Sequence, residues 1–575
     1  MANITQSGGL NLSRRHTPGP RATKPLLLVS KKKGDTTHVK KDAARRTNIM
    51  VAKAISEAIR TTLGPRGRDK LIIDALKDVL VTNDGATIME KINFKHPMGK
   101  LMTYVAKTQD LETGDGTTTA VILTGELLKQ AESLLQEKIH PTKIANGYVL
   151  ASVKALELLK ANAIKIDPDD KLLEKIAETS INSKNVVTDL ISKIAVEAVK
   201  GVMTRRNDKP YIDTEYIEIE KKLGKSLGES ELIKGLIINR GAEREDMPKK
   251  LENLKIALIN QEFDVPKSKT EAKIQIQSPE QMATFLNQEF QLIKSMVDKL
   301  VEVGANVLLT QKEIDHVAAD LMARAGIVGL KNMRRRYMPK IAKAVGATIV
   351  NTVNELTPET LGTADLLETK VIEDKYVTFI TGCKDSKTMT ILLRGSGKHM
   401  MEEAERSLRD AMYVVKDVIE DEGLGVAVGG GAIEESIASG LRDYARSIGG
   451  REQFAVEAFA KAMEIVPKTL AENGGWDTIT LLAQLRAKHS KENGKYYGVN
   501  PFTGKIENMY ENGVIEPLRV KLQAISSATE AAVTVLRIDE MLTARRVEDY
   551  AKELAKTGEL PEAPHDTFQA APSLE

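Results

Sequence analysis

One hexapeptide has the residue types to hold a phosphate: Gly114-Asp115-Gly116-Thr117-Thr118-Thr119. The glycines let the backbone turn tightly and approach a ligand closely. A helix is expected to begin at the threonines. Its first amides lack intrahelical partners, and the helix dipole adds positive potential. Three hydroxyls add further donors. Asp115 repels phosphate, so its place in such a cradle is as a ligand of Mg2+, which prefers oxygen and bridges phosphate oxygens. An ordinary helix N-terminus capped by Asp and Thr explains the same residues equally well.

Other segments signal less by themselves. Thr82-Asn83-Asp84-Gly85-Ala86-Thr87 reads by default as a hairpin turn between β-formers. Glu403, Arg406 and Asp410 are spaced three and four apart, which puts them on one helix face. The plainer reading there is a surface ion-pair stripe. Gly429-Gly430-Gly431 serves a hinge, a close ligand approach or a plain linker. Gly395-Ser396-Gly397-Lys398 is not a P-loop. That pattern needs Gly five residues before Gly397 and Ser or Thr after the lysine, and Leu392 and His399 stand there.

These residues need elements to position them. Thr47 is the expected N-cap of a helix with Val51, Ile55, Ala58, Ile59 and Thr62 at helical spacing, ended by Gly64-Pro65. Strands are expected near 71–73 and 79–82, a helix from Thr117 to about Ile139, and further helices to about 200. From about 210 short β-rich runs alternate with helices: strands at 255–259, 305–309, 348–350, 376–380 and 389–393, helices near 280–300, 313–325 and 338–345. That alternation predicts a separate α/β domain. Helices return over 400–470, then a β-like stretch at 495–508 and a helix over 517–545. Two helical flanks around a different centre predict a nested insertion. The helix near 280–300 carries Met282, Phe285, Leu286, Ile293, Met296 and Val297 on one face, expected to be mostly core packing.

Composition narrows the class. A chain of 575 residues suggests about three domains. Hydrophobic residues make up 42% and aromatics 4%, which disfavours a base-stacking surface. Residues 1–46 hold 11 of the 83 basic residues and 2 of the 80 acidic ones, leaving 72 against 78, about −6, in the rest. That basic arm reads as a solvated disordered tail; an acidic partner such as nucleic acid, bound through residues 14–46, is the rival. One cysteine, Cys383, leaves no internal disulfide and fits a reducing cytosol. No apolar run approaches membrane-spanning length. Pro18-Gly19-Pro20 breaks any amphipathic targeting helix.

The order of motifs is more specific than any one of them. Thr61-Thr62-Leu63-Gly64-Pro65-Arg66-Gly67, then Thr82–Thr87, then Gly114–Thr119, resembles the chaperonin family. So do Glu405-Arg406-Ser407-Leu408-Arg409-Asp410-Ala411, the Gly429–Gly431 loop and Asn512-Gly513-Val514-Ile515-Glu516-Pro517-Leu518-Arg519-Val520-Lys521. The order agrees from about 38 to 545. The form is similar to group II chaperonins, the archaeal thermosome above all, because residues 248–300 resemble the apical protrusion that serves as a built-in lid.

The resemblance implies a multidomain α+β chain: a mainly helical equatorial ATP-binding domain (41–166 and 425–555), a small intermediate hinge domain (167–237 and 391–424) and an α/β apical domain with a helical lid protrusion (238–390). A disordered basic arm (1–40) and tail (556–575) flank them. It implies ATP and Mg2+ as cofactors. Gly64 and Gly114, Asp115, Gly116, Thr117, Thr118 and Thr119 would surround the phosphates, with Asp115 on the metal. Asp84 and Asp410 would position or polarise the attacking water, Asp410 arriving when the intermediate domain closes. Lys184 would sense the γ-phosphate. Gly430, Asn500, Pro501 and Glu516 would surround ribose and adenine. Met282, Phe285 and Leu286 would lie near the lid tip and contact clients or neighbouring lids.

The implied partners are non-native proteins and other chaperonin subunits in stacked rings, in the cytoplasm, with no membrane and no nucleic acid expected. Three departures stand out. Relatives commonly have Arg-Gly-Gly-Thr where this chain has Arg394-Gly395-Ser396-Gly397, the chain lacks a Gly-Met-rich tail, and its basic N-terminal arm is longer. The rival in a binding class is an inactive chaperonin scaffold, which the full set of carboxylates argues against.

Overall fold

The computed structural model describes residues 39–40, 42–73, 77, 79–166, 169–182, 184, 187–264, 279–372, 375–383, 388–421, 423–491 and 493–541. Residues 1–38 of the arm expected over 1–40, the tail over 556–575 and part of the lid segment, 265–278, lie outside those residues; Val39–Lys40 of the expected arm form a strand. Two compact units are present. In one, the strands Val39–Lys40 and Glu540–Met541 pair antiparallel, Val39 opposite Met541. The other spans Asp42–Asp539 and holds everything below.

Helices α1 (Asp42–Arg60), α2 (Gly85–Lys91), α3 (Pro97–Thr113), α4 (Thr117–Gln136) and α5 (Pro141–Asn162) come first, followed by α6 (Asp170–Ile181) and α7 (Thr188–Val202). Strands then dominate, separated by α8 (Pro279–Glu302), α9 (His316–Arg324) and α10 (Met338–Val345). Next come α11 (Lys398–Glu420), α12 (Ala432–Ser447), α13 (Glu452–Met463), α14 (Ile465–Asn473), α15 (Thr478–His489) and α16 (Leu518–Arg537). Sequence chemistry sets several boundaries. His96 and His140 each accept a backbone N–H through Nδ1, from Met98 and Thr142, and each precedes a proline at the first helical position.

Three bodies follow from where the apolar side chains meet. In the helical body Ile49, Met102, Leu127, Tyr148, Phe459 and Leu536 share one core. Stretches on either side of the sheet-rich centre, 49–159 and 427–536, therefore share this core. A middle body packs α6, α7 and α11 on the strands Ile217–Leu223 and Met389–Gly395, around Ile181, Ile194, Ile391 and Leu408. The sheet body runs Val328–Leu330, Val307–Thr310, Lys250–Ile259, Gly362–Ile372, Lys375–Thr381, Gly235–Ile238, with Ile349–Val350 paired to the end of Lys250–Ile259. Ala257 and Ile259 join the core on one face, Ile256 and Leu258 the core on the other. Successive strand side chains point to opposite faces, and both faces here are covered.

Some expectations are corrected. Thr47 is not a cap: it lies inside α1, and its hydroxyl donates to the Ala43 carbonyl. Thr82–Thr87 is not the hairpin turn. The hairpin Lys70–Ile73/Val79–Thr82 turns earlier, and Asp84 caps α2 by accepting the Thr87 N–H at 2.8 Å. The last helix stops at Arg537 rather than 545. The eleven-residue strand Gly362–Ile372 went unseen, because its polar alternate residues hide the apolar ones that face the core.

Candidate functional site

A cavity of about 530 Å³ opens beside the start of α4, within the range of small-molecule sites. Gly114 ends α3 in the left-handed region (φ 65°), and Gly116 begins α4 in the same region (φ 78°) with no side chain capping the helix. Both turns favour glycine, and they leave the first amides of α4 without a cap. Gln109 pins the loop from beneath: its Nε2 donates to the carbonyls of Asp115 (2.8 Å) and Val520 (3.1 Å). The start of α2 abuts the same loop so closely that a Cβ on Gly85 would stand 2.7 Å from the Thr118 hydroxyl. Thr117, Thr118 and Thr119 line the cavity from α4.

Acidic groups converge on this end. Asp84 reaches it as the cap of α2, and Asp115 from the glycine loop. Burial pushes the Asp115 carboxyl up, and the charge of Glu516 pushes it further, against the Gly116 amide and Lys184. Asp110, behind the loop, is pushed up to about 6 by burial, with Asp84, Glu90 and Asp115 adding to the shift and Lys184 opposing it. Asp410 comes from α11 and pairs with Lys184, which follows α6. Burial raises the Asp410 carboxyl well above the carboxylate range. Lys184 opposes that shift, while Asp84 and Asp115 add to it. Burial works against charge on Lys184, but Asp410, Asp84 and Glu403 outweigh it and hold the ammonium above the usual lysine range. The expected surface stripe is therefore only half right. Glu403 pairs with Arg406, whereas Asp410 turns into the cavity.

The other walls are closer to apolar. Gly64 (φ 79°) packs under Leu470, and Gly430 (φ 66°) under Met509. Val499, Met509 and Val514 line this side. Asn500 donates to Glu507 at 2.7 Å, and Pro501 accepts the Trp476 indole N–H at 2.8 Å. Glu516 stands on the strand Ile515–Pro517 and pairs with Lys521.

Thus all the residues expected around a nucleotide line one cavity, from Gly64 and the Gly114–Thr119 loop to Gly430, Asn500, Pro501 and Glu516, with Asp84, Lys184 and Asp410. Met282, Phe285 and Leu286 do not: they lie on α8 in the sheet body. There the stripe divides. Met282 and Leu286 are 47% and 55% exposed, while Ile293, Met296 and Val297 are buried. Sequence reasoning missed Gln109, Asp110 and Lys521. Lys521 ends the Asn512–Lys521 segment, five residues after Glu516, but only its neighbours in space mark it.

Architecture and cavity together define a chaperonin-type chain, in which a split helical body and a nested middle body both contribute to one nucleotide-sized pocket. The chain belongs to the TCP-1/cpn60 chaperonin family, whose model matches residues 55–546. It is 46% identical over 530 residues to the thermosome subunit of Pyrococcus horikoshii, covering 92% of this chain and 95% of that one. Against thermosome subunit beta of Archaeoglobus fulgidus it is 47% identical over 545 residues, 94% and 98% of the two chains. Subunit alpha of the same organism is 46% identical over 539 residues, 93% and 97%. Among the described residues no helix is long and apolar enough to cross a membrane.

Proposed function

We propose that this chain is an ATP-hydrolysing chaperone subunit that encloses non-native proteins in a double-ring cage with a built-in lid, in the cytoplasm. The observation that carries the reading is the convergence of Asp84, Asp115 and Asp410 on the uncapped start of α4. On this reading the helical body is the equatorial domain (41–166 and 425–555), the middle body the intermediate domain (167–237 and 391–424) and the sheet body the apical domain (238–390). Related chains are named as thermosome subunits alpha and beta, which supports assembly with like or paralogous subunits.

The substrate's phosphates would take hydrogen bonds from the α4 amides and the threonine hydroxyls. Among the described residues no cluster of three or more His, Cys, Asp or Glu is arranged to hold a metal alone. Asp115, partly buried amid like charge, would hold a cation beside the phosphates. When bound there, Mg2+ would supply neutralisation of phosphate charge. Asp84 and Asp410 orient a water against the γ-phosphorus and accept its proton as the bond to the β-phosphate oxygen breaks. A carboxyl raised as Asp410 is makes a better proton acceptor. The exposed Met282 and Leu286, with Phe285 beside them, offer clients an adaptable apolar surface.

The test is ATP hydrolysis with Mg2+ alongside light scattering of a denatured client. ATP-dependent suppression of scattering is expected. Hydrolysis at the native rate in the Asp84→Ala/Asp410→Ala variant would sink the assignment of the site.

A further inference from the structure

The cavity has a second lysine with a different setting. Lys521 stands on the first turn of α16 and is 6% exposed. Its Nζ lies 2.7 Å from Glu516 Oε2 and 2.9 Å from Glu434 Oε1. Glu434, 2% exposed, stands on the first turn of α12, just after Gly430 and Gly431. The strand Val426–Val428, which leads into that glycine loop, pairs antiparallel with Ile515–Pro517, Ala427 opposite Glu516. Lys521 thereby ties together three elements at one wall of the cavity. Burial opposes its charge, but Glu434 and Glu516 outweigh burial and hold the ammonium above the usual lysine range.

Glu516 lies between two chemical environments. On one side is Asp115 of the phosphate loop, which feels its charge. On the other are the Gly429–Gly431 loop and apolar Val514: a Cβ on Gly429 would stand 2.9 Å from both Glu516 Oε1 and Val514 Cγ1. In a nucleoside triphosphate the group between phosphates and base is the sugar. A carboxylate only accepts, so it suits the two hydroxyl donors of a vicinal diol, and hydrogen bonds to a charged acceptor are the strong ones.

We infer that Lys521, braced by Glu434, is a positioning residue that fixes the Glu516 carboxylate against the sugar of the bound nucleotide and so sets selectivity for a ribonucleotide over its 2′-deoxy analogue. The inference rests on the ATP reading above. Lys521 touches no reacting atom. Without it Glu516 has no counter-charge and is free to turn away from Asp115.

The experiment measures steady-state hydrolysis of ATP and 2′-deoxyATP by the full chain. The wild type is expected to favour ATP in kcat/KM by about ten-fold or more, as for a hydrogen bond to a charged group. Lys521→Met raises KM for ATP roughly ten-fold with a much smaller fall in kcat, and brings the preference close to one. Lys521→Arg, which keeps the charge, restores most of it. The Glu434→Gln/Lys521→Met variant leaves no unpaired buried charge at residue 434, so it keeps the test valid where Lys521→Met alone does not fold, and it must lose the preference too. A folded variant lacking Lys521 that keeps the wild-type preference, or that loses kcat equally on both nucleotides, overturns the inference and leaves the ATP reading standing. A wild-type chain that neither binds nor hydrolyses either nucleotide overturns both.

Discussion

The two lysines of the cavity divide it into ends of different construction. Lys184 and Asp410 both belong to the middle body: one follows α6, the other rides on α11, and those helices share a core around Ile181 and Leu408. They meet Asp84 and Asp115, which belong to the helical body. Lys521, Glu516 and Glu434 are all held by the helical body and the strand pair beside it. The charged groups of one end thus come from two bodies, those of the other from one. A group that must be carried in by another body is subject to that body's motion; a group held by ion pairs within its own body is not. The small cluster of Ile176, Val414, Val426, Ile515 and Val520 joins the two bodies. On the proposed function, chemistry depends on closure, whereas sugar recognition is built before it.

The largest expected effect would break this division if it failed. On the proposed function Asp410→Asn removes the proton acceptor that closure brings in, so kcat is expected to fall by roughly 10²–10⁴-fold with KM little changed. Glu516→Gln does the reverse: KM rises and kcat is largely spared. If steady-state kinetics show both variants moving the same parameter, the two ends are not separate.

A smaller effect sharpens the contrast through pH. A general base works only when deprotonated, and burial raises Asp410 well above the ordinary carboxylate range. The acid limb of the kcat–pH profile should therefore lie above about pH 4, with activity lost as pH falls through it. Lys184 pulls Asp410 down. Removing its charge in Lys184→Gln moves the limb to higher pH, while Lys521→Met leaves it in place. A limb that ignores Lys184 would show that Asp410 is not the titrating group.

Legibility in the sequence follows the same line. The Gly114–Thr119 loop was readable because its parts are contiguous and its chemistry is that of a helix start. The nested architecture was readable from the change of period near 210. Spacing alone makes Asp84 a turn residue, because Asn-Asp-Gly serves hairpins and helix caps alike and only the strand pairing decides. Asp410 was read as a surface stripe because its partner Lys184 lies 226 residues away. Family resemblance, not spacing, brought both residues to the site. Lys521 was passed over for a related reason: its meaning lies in Glu434, which helix α12 brings to it across the fold.

The smallest expected effect concerns how α11 is held. Asp417, on that helix and 2% exposed, has Oδ1 3.6 Å from Arg519 Nη1 on α16, while its Oδ2 is buried with no hydrogen-bond partner among the described residues. Burial pushes it up to about 7, more than Arg519 and Lys416 pull it down, and Asp421 and Glu420 add to the rise. The folded chain therefore binds a proton that the unfolded chain has already released between about pH 4 and pH 7. Over that window this residue makes stability fall as pH rises, and above it the cost is full. Asp417→Asn cannot ionise. It should flatten that slope and raise Tm at pH 8, by an amount equivalent to about 1 kcal/mol or more, with little change at pH 4. Arg519 keeps Asp421, 3.7 Å away, as a partner. Because Asp417 sits two turns along α11 from Asp410, a changed seat for that helix would alter kcat before KM, and the ribonucleotide preference set at Lys521 should not move. A shift in that preference would mean that the two ends of the cavity are coupled through α16, whose first turn carries both Arg519 and Lys521.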